Sequence, residues 1–137
     1  MAQRAKAYVD TAAFIAFADR SDSHHHQFCR LFADPPTLIT STAVVSEGHG
    51  WFLKRYDRFR ALQFLQMIEE MDFLDVLAVG QEEVSHAAGY LRKFDDQSLT
   101  LVDALGLHIM KRHRIRSCWS TDRHLGLTGA ALVIHAH

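Results

Sequence analysis

The sequence predicts an α/β domain in which helices cover both faces of a mainly parallel sheet. Three observations carry that prediction. Short strand-like runs alternate with helical segments along the whole chain. The helical segments repeat apolar residues at intervals of three and four. The chain of 137 residues, 48% hydrophobic and 23% charged, fits one domain, residues 1–137, with a single sizeable core and no internal repeat, low-complexity stretch or linker.

Ala5 to Asp10, with Tyr8 and Val9, reads as the first strand and runs into Thr11-Ala-Ala-Phe-Ile-Ala-Phe-Ala, a helix ending near Asp19. Asp22-Ser23 offers an N-cap for a second helix through Phe32, which Pro35-Pro36 stops. Thr37 to Thr40 is the second strand. Ser41-Thr42 caps a third helix with Val44, Val45, Trp51 and Phe52 inward, where Gly48 weakens it or permits a close approach. Leu62, Leu65, Ile68 and Met71 mark the inner face of a helix over residues 58–71, followed by a strand from Asp72 to Val79. The helix from Gln81 to Phe94 turns Val84, Ala87, Ala88 and Leu91 inward. A central helix in the stretch Ser98 to Met110 follows, with Leu101, Ala104, Leu105, His108 and Ile109 on one apolar face. Ser117 to Thr121 is the fourth strand, Asp122 to Gly129 a turn-rich connection, and Ala130 to His135 a final short strand.

A net charge of -1 argues against a protein that holds nucleic acid by bulk electrostatics alone, although local basic clusters remain. Met1 to Asp10 lacks the apolar run of a signal peptide, and no stretch approaches about eighteen uninterrupted apolar residues. A cytoplasmic protein without membrane contact is expected. Cys29 and Cys118 lie far apart without metal-ligand spacing and read as reduced, small apolar residues.

In open parallel sheets, sites form outside the carboxyl ends of the strands. Four acids fall at that edge. Asp10 ends the first strand, Glu47 lies in the second turn of the helix after the second, Asp103 opens the central helix, and Asp122 closes the fourth strand. Asp103 alone has a simpler explanation, since Thr100 followed three residues later by an acid is a capping-box-like start. Four acids together suggest more. Crowded carboxylates repel and raise one another's pKa, so such a cluster calls for a cation. Magnesium or manganese suits oxygen ligands, and the chemistry implied is phosphodiester hydrolysis by metal-activated water, without a protein nucleophile.

The segments Y-V-D-T-A-A-F-I-A-F (8–17), S-T-A-V-V-S-E (41–47), L-T-L-V-D-A (99–104) and S-T-D-R-H-L (120–125) resemble, in this order, the four acidic motifs of PIN-domain ribonucleases. Within that family the chain is most similar to VapC toxins. The resemblance implies a three-layer α/β/α sandwich that gathers Asp10, Glu47, Asp103 and Asp122 around Mg2+ or Mn2+ as metal ligands and catalytic residues. It implies RNA as substrate, and Thr100 and Ser120 as hydroxyls supporting the metal site. It also implies that helices of the first half form a homodimer face and a groove for a cognate antitoxin protein. Leu125 departs from the pattern, where an aromatic residue is common after the histidine.

The run His24-His25-His26 cannot chelate one ion, because consecutive helical residues point about 100° apart. A solvated helix start accounts for it better, with one imidazole facing the acidic pocket as the minor alternative. His135 and His137 receive no role. Lys111, Arg112, Arg114 and Arg116 suit the C-terminal end of the central helix. Phosphate contact is the alternative, for Arg112 and Arg114 together with Lys54 and Arg55. Trp51, Phe52, Phe59 and Phe64 read as core or subunit interface rather than a base-stacking platform. Two readings compete with the nuclease: a PIN-like protein- or RNA-binding module with weak or lost catalysis, and a phosphoaspartate phosphohydrolase. The latter is disfavoured because Thr11-Ala12 follows Asp10 without a second acid two residues on.

Overall fold

The computed structural model describes residues 5–136, and side chains for residues 5–134. Five strands, β1 (Lys6–Val9), β2 (Thr37–Ser41), β3 (Leu74–Leu77), β4 (Ser117–Trp119) and β5 (Ala131–Leu132), form a sheet of order β3-β2-β1-β4-β5. Every pairing is parallel, with Tyr8 opposite both Ile39 and Cys118. Strand β1 is central, and Ala7, Tyr8 and Val9 are buried. The chain adds β2 and β3 on one side of β1, then returns to lay β4 and β5 on the other. That reversal opens a crevice beyond the carboxyl ends of β1 and β4.

Right-handed crossovers put helices α1 (Thr11–Ala18), α2 (His25–Ala33), α3 (Thr42–Arg55) and α4 (Arg58–Glu69) on one face. Helices α5 (Gln81–Lys93) and α6 (Leu101–Arg112) take the other. The result is the three-layer α/β/α sandwich. On the first face the core is aromatic: Phe32 meets Trp119 edge-on at 4.9 Å, and Phe52 stacks on Phe64 at 5.3 Å. On the second, α6 lies so close to β1 that a Cβ on Gly106 would come within 3.0 Å of Tyr8 Cε1.

Several helix faces differ from the periodicity reading. In α4 the inner residues are Ala61, Phe64 and Ile68, while Leu62 is exposed, because small Ala61 and the Phe64 stack allow a closer fit than a leucine stripe. In α5 only Ala87 is buried, and Val84 is exposed. Helix α6 has no stripe: it is buried without a break from Asp103 to Met110, and Leu101 is left exposed. It is wedged between β1, α5 and the 3-10 turn Arg123–Gly126, so almost every direction is protein. Its end is a Schellman motif, with Ile115 N–H donating to Met110 O (2.8 Å) and Arg114 N–H to Lys111 O (3.3 Å). Arg114 therefore takes the left-handed φ of 55° where glycine is usual.

Four strands are shorter than expected, because parallel pairing ends where each turns into its helix, while β2 runs one residue further, to Ser41. The last strand stops at Leu132, and α7 (Val133–Ala136) replaces its expected continuation to His135. His137 and the His135 side chain lie outside the described residues. Helix α2 begins at His25, not after Asp22-Ser23, since the Asp22 carboxylate instead accepts the His24 amide at 2.8 Å. His25 Nδ1 lies 2.8 Å from Ala16 O and so ties α2 to α1 rather than facing the acids. Both cysteines are free.

Gly48 shows what α3 and α4 require. A Cβ there would stand 2.4 Å from Phe64 Cζ, and Phe64 is held by Phe52 and Phe14. Gly48→Ala should lower stability by about 1 to 2 kcal/mol, overpacking outweighing the ~1 kcal/mol gain in helix propensity. Urea unfolding measures it; a stabilised variant would mean the hairpin can spread.

Candidate functional site

Asp10 follows β1 directly, so the crevice at the strand reversal receives its side chain while the backbone turns into α1. It is 4% exposed. Its carboxylate does not cap α1; Oδ2 instead accepts a hydrogen bond from Ser120 Oγ at 2.9 Å. Ser120 sits just after β4 and is itself buried. The same Ser120 Oγ accepts the backbone N–H of Asp122 at 2.9 Å, so one hydroxyl links the first acid to the loop carrying the fourth. Burial is the main reason that the Asp10 pKa rises to about 7. Ser120 and the Thr11 amide oppose that shift, and the charges of Asp103 and Glu47 add to it. Nearby, Tyr8 Oη and Thr11 Oγ1 are buried without a hydrogen-bond partner among the described residues.

Asp103 comes from the opposite layer. The expected capping box forms: Thr100 Oγ1 accepts the Asp103 amide at 3.2 Å, and Asp103 Oδ2 accepts the Thr100 amide at 3.1 Å. The cap engages only Oδ2, leaving Oδ1 for other partners. Burial again raises the carboxyl pKa, against the Thr100 amide and with repulsion from Asp122. Asp103, Asp122 and His124 each offer one ligand atom, and these atoms lie within 4.8 Å of one another. Asp122 starts the 3-10 turn, with Oδ1 accepting the His124 amide at 3.0 Å and lying 2.9 Å from His124 Nδ1.

Among the sequence-derived candidates, Asp10, Asp103 and Asp122 thus meet at one edge, with Thr100 and Ser120 each bonded to an acid. Glu47 reaches the group only through its field on Asp10; its side chain is exposed on α3. His124 was not among the candidates, and its signal in sequence was the Asp-x-His spacing next to a strand end. Lys54 and Arg55 close α3, and Arg55 lies over the Tyr56 ring at 5.5 Å. Arg112 and Arg114 stand at the far end of α6, for Arg112 about 14 Å from Asp103 along the helix axis.

A parallel α/β/α sandwich with carboxylates gathered at its topological switch point defines a class of protein suited to holding a hard divalent cation against a phosphate. The chain belongs to the PIN-domain family, whose description matches residues 7–129. It is 27% identical over 124 residues to the 23S rRNA-specific endonuclease VapC20 of Mycobacterium tuberculosis, an alignment covering 89% of this chain and 93% of VapC20. The crystal structure of that sarcin-ricin loop cleaving toxin superposes with a TM-score of 0.84 at 22% identity, covering 91% of this chain and 96% of the other. A toxin-antitoxin complex from Klebsiella pneumoniae matches at a TM-score of 0.61 and 17% identity, covering 92% and 94% of the two chains. VapBC2 from Rickettsia felis, bound to a promoter DNA fragment, matches at 0.61 and 12%, covering 93% and 96%.

The Asp10 shift has a measurable consequence for the metal-free protein. Its carboxyl titrates near 7 when folded and near 3.8 when unfolded, so between those values the folded chain binds more protons and stability falls as pH rises. Asp10→Asn removes that loss. In excess chelator the variant should match the parent near pH 4 and exceed it above pH 7 by on the order of 3 kcal/mol. Urea unfolding across that range checks it, and parallel curves would show Asp10 ionising normally.

Proposed function

We propose that this chain is a metal-dependent endoribonuclease that hydrolyses RNA phosphodiester bonds, the toxin of a VapBC-type pair acting in the cytoplasm as a single domain. The observation that carries the reading is the buried Asp10 carboxyl, raised to about 7 at one edge with Asp103, Asp122 and His124. Burial and like charge both penalise its ionised form, and no lysine or arginine is among its main influences. Family membership and the VapC20 likeness point the same way.

The donor set fits a hard divalent ion: carboxylate oxygens, one imidazole, and a buried Thr11 hydroxyl without a partner among the described residues, suited to ordering water. Asp10, Asp103 and Asp122 would hold Mg2+ or Mn2+, with Glu47 completing the set. Such an ion, when bound, supplies an activated water and neutralises the phosphoryl charge. Ser120 holds Asp10 and the Asp122 backbone in register, Thr100 orients Asp103, and His124 orients Asp122. A ribosomal RNA loop is the first substrate to try, since that is what the name of the VapC20 relative specifies.

Partner surfaces follow from the same reading. The α3–α4 hairpin leaves Leu53, Tyr56, Phe59 and Leu62 exposed, Phe59 at 67%. We assign this apolar surface to an antitoxin and to homodimer contact. No helix among the described residues is long and apolar enough to cross a membrane.

Single-turnover RNA cleavage should require Mn2+ or Mg2+ and vanish in excess chelator, with the far-UV circular dichroism spectrum unchanged; undiminished cleavage in chelator would reject the metal. Asp103→Asn should leave metal-free stability within roughly 1 kcal/mol of the parent or raise it, because the lost cap charge is offset by relief of burial and of repulsion from Asp122, yet cut cleavage by orders of magnitude, on the order of 100-fold or more. Thr100→Val, which spares every carboxylate, should cost less activity. Near-normal cleavage by Asp103→Asn in saturating Mn2+ would leave Asp103 as a cap alone.

A further inference from the structure

Helices α5 and α6 both run from the carboxyl edge of the sheet towards its amino edge, and a cleft of about 420 Å³ opens between them. Its lining includes His86, Gly89, Lys93, His108, Lys111 and Arg112, with no acidic residue. A second cleft of about 500 Å³, whose lining sets Lys93, Lys111 and Arg116 among uncharged residues, continues it to the amino edge. Positive charge at each helix end favours its own dipole. That does not account for two basic ends facing one concavity. Among the described residues, Lys93, Lys111 and Arg112 make no ion pair, and the nearest acid pairing is Glu82 with His86 at 3.8 Å. The His86 ring stacks on His108 at 4.7 Å and 5°, forming a flat wall beside the cations. A Cβ on Gly89 would meet nothing within 4 Å, so the space over α5 is open.

We propose that the cleft between α5 and α6 is a docking site for the phosphodiester backbone of RNA, remote from the acidic cluster. Cations without an ion pair, in a concave cleft that Glu82 and Glu83 approach only at its histidine rim, suit a chain of phosphates, whose neutralisation releases counterions. Lys111 stands about 12 Å from Asp103 along α6, so RNA cut at the acids reaches the cleft only with the flanking strand or stem. A dinucleotide cannot bridge both, since about 12 Å takes roughly four nucleotides at ~3.4 Å each. The proposal rests on the endoribonuclease reading, as it gives that enzyme its second hold on substrate.

The test is binding of a fluorescently labelled RNA hairpin to the full chain in excess chelator, where cleavage does not intervene, at several salt concentrations. Gly89→Glu places a negative charge in open space, removes no native side chain and keeps a good helix former; Gly89→Ala is its neutral control. Gly89→Glu should raise the Kd about tenfold or more at low salt and leave Gly89→Ala near the parent. The double variant Lys93→Ala/Lys111→Ala should flatten the log Kd against log salt slope by about 1 to 2. Ring-proton signals of His86 and His108 should shift on titration with the same RNA. Unchanged affinity and slope in both charge variants overturns the docking site. So does loss of affinity for a co-produced acidic protein with RNA binding intact. A chain that binds RNA through the cleft but cuts no RNA with Mn2+ would overturn the nuclease reading alone, and normal cleavage without an effect of these variants would overturn the cleft alone.

Discussion

A carboxyl group held under cover at the centre of a parallel sheet's carboxyl edge is the constraint that the rest of this protein accommodates. Asp10 follows the central strand and lies where strand order reverses, so it is shut off from bulk water, and no lysine or arginine is among the main influences on its charge. Its pKa of about 7 expresses that cost. Ser120 offsets it in part by donating to Oδ2 and uses its remaining acceptor capacity to position the Asp122 backbone. The geometry of two acids therefore depends on one hydroxyl between them. Under the proposed reading, a cation would complete this arrangement and offset its cost to stability.

The helix start at Asp103 shows how folding and chemistry share a side chain. The capping box and the approach to Asp122 and His124 are compatible because a carboxylate has two oxygens and the cap engages only Oδ2. Cap and candidate ligand are thus not alternatives. The helix behind it is buried for eight consecutive residues, Asp103 to Met110, which holds the carboxylate on a rigid support. The same burial takes in His108, whose pKa falls through desolvation, with His86 and Arg112 reinforcing the shift. Neutral His108 can stack flat on His86 without charge repulsion.

The two layers outside the sheet differ in character. Helices α1 to α4 meet the sheet through stacked aromatic rings and leave a hairpin tip where exposed apolar residues alternate with Lys54, Arg55 and Arg58, whereas α5 and α6 meet through alanines and gather cations over a cleft. Small residues such as Ala87 and Ala104 let α5 and α6 approach closely, and long basic side chains then spread over the seam. The net charge of -1 hides this division, since acids elsewhere balance the basic seam.

The alternation of strands and helices, the parallel sheet and the cap at Thr100 were legible in the sequence, because each is written in local spacing or in one residue's chemistry. Gly48, by contrast, left open whether it weakened its helix or admitted a neighbour until Phe64 came against it. The sequence also marked Asp10, Asp103 and Asp122 by their places at strand and helix ends. It did not determine which helical face turns inward in α4, since Leu62 and Phe64 are both apolar and only the fit against Phe52 and Gly48 chooses between them. Nor did it determine the exposure of Glu47 on α3, the approach of His124 to Asp122, or the placing of Lys93 and Lys111 on one cleft. Tertiary structure decided those, for a physical reason common to all: each depends on the distance between elements far apart in the chain, and periodicity reports only the direction a side chain takes from its own backbone.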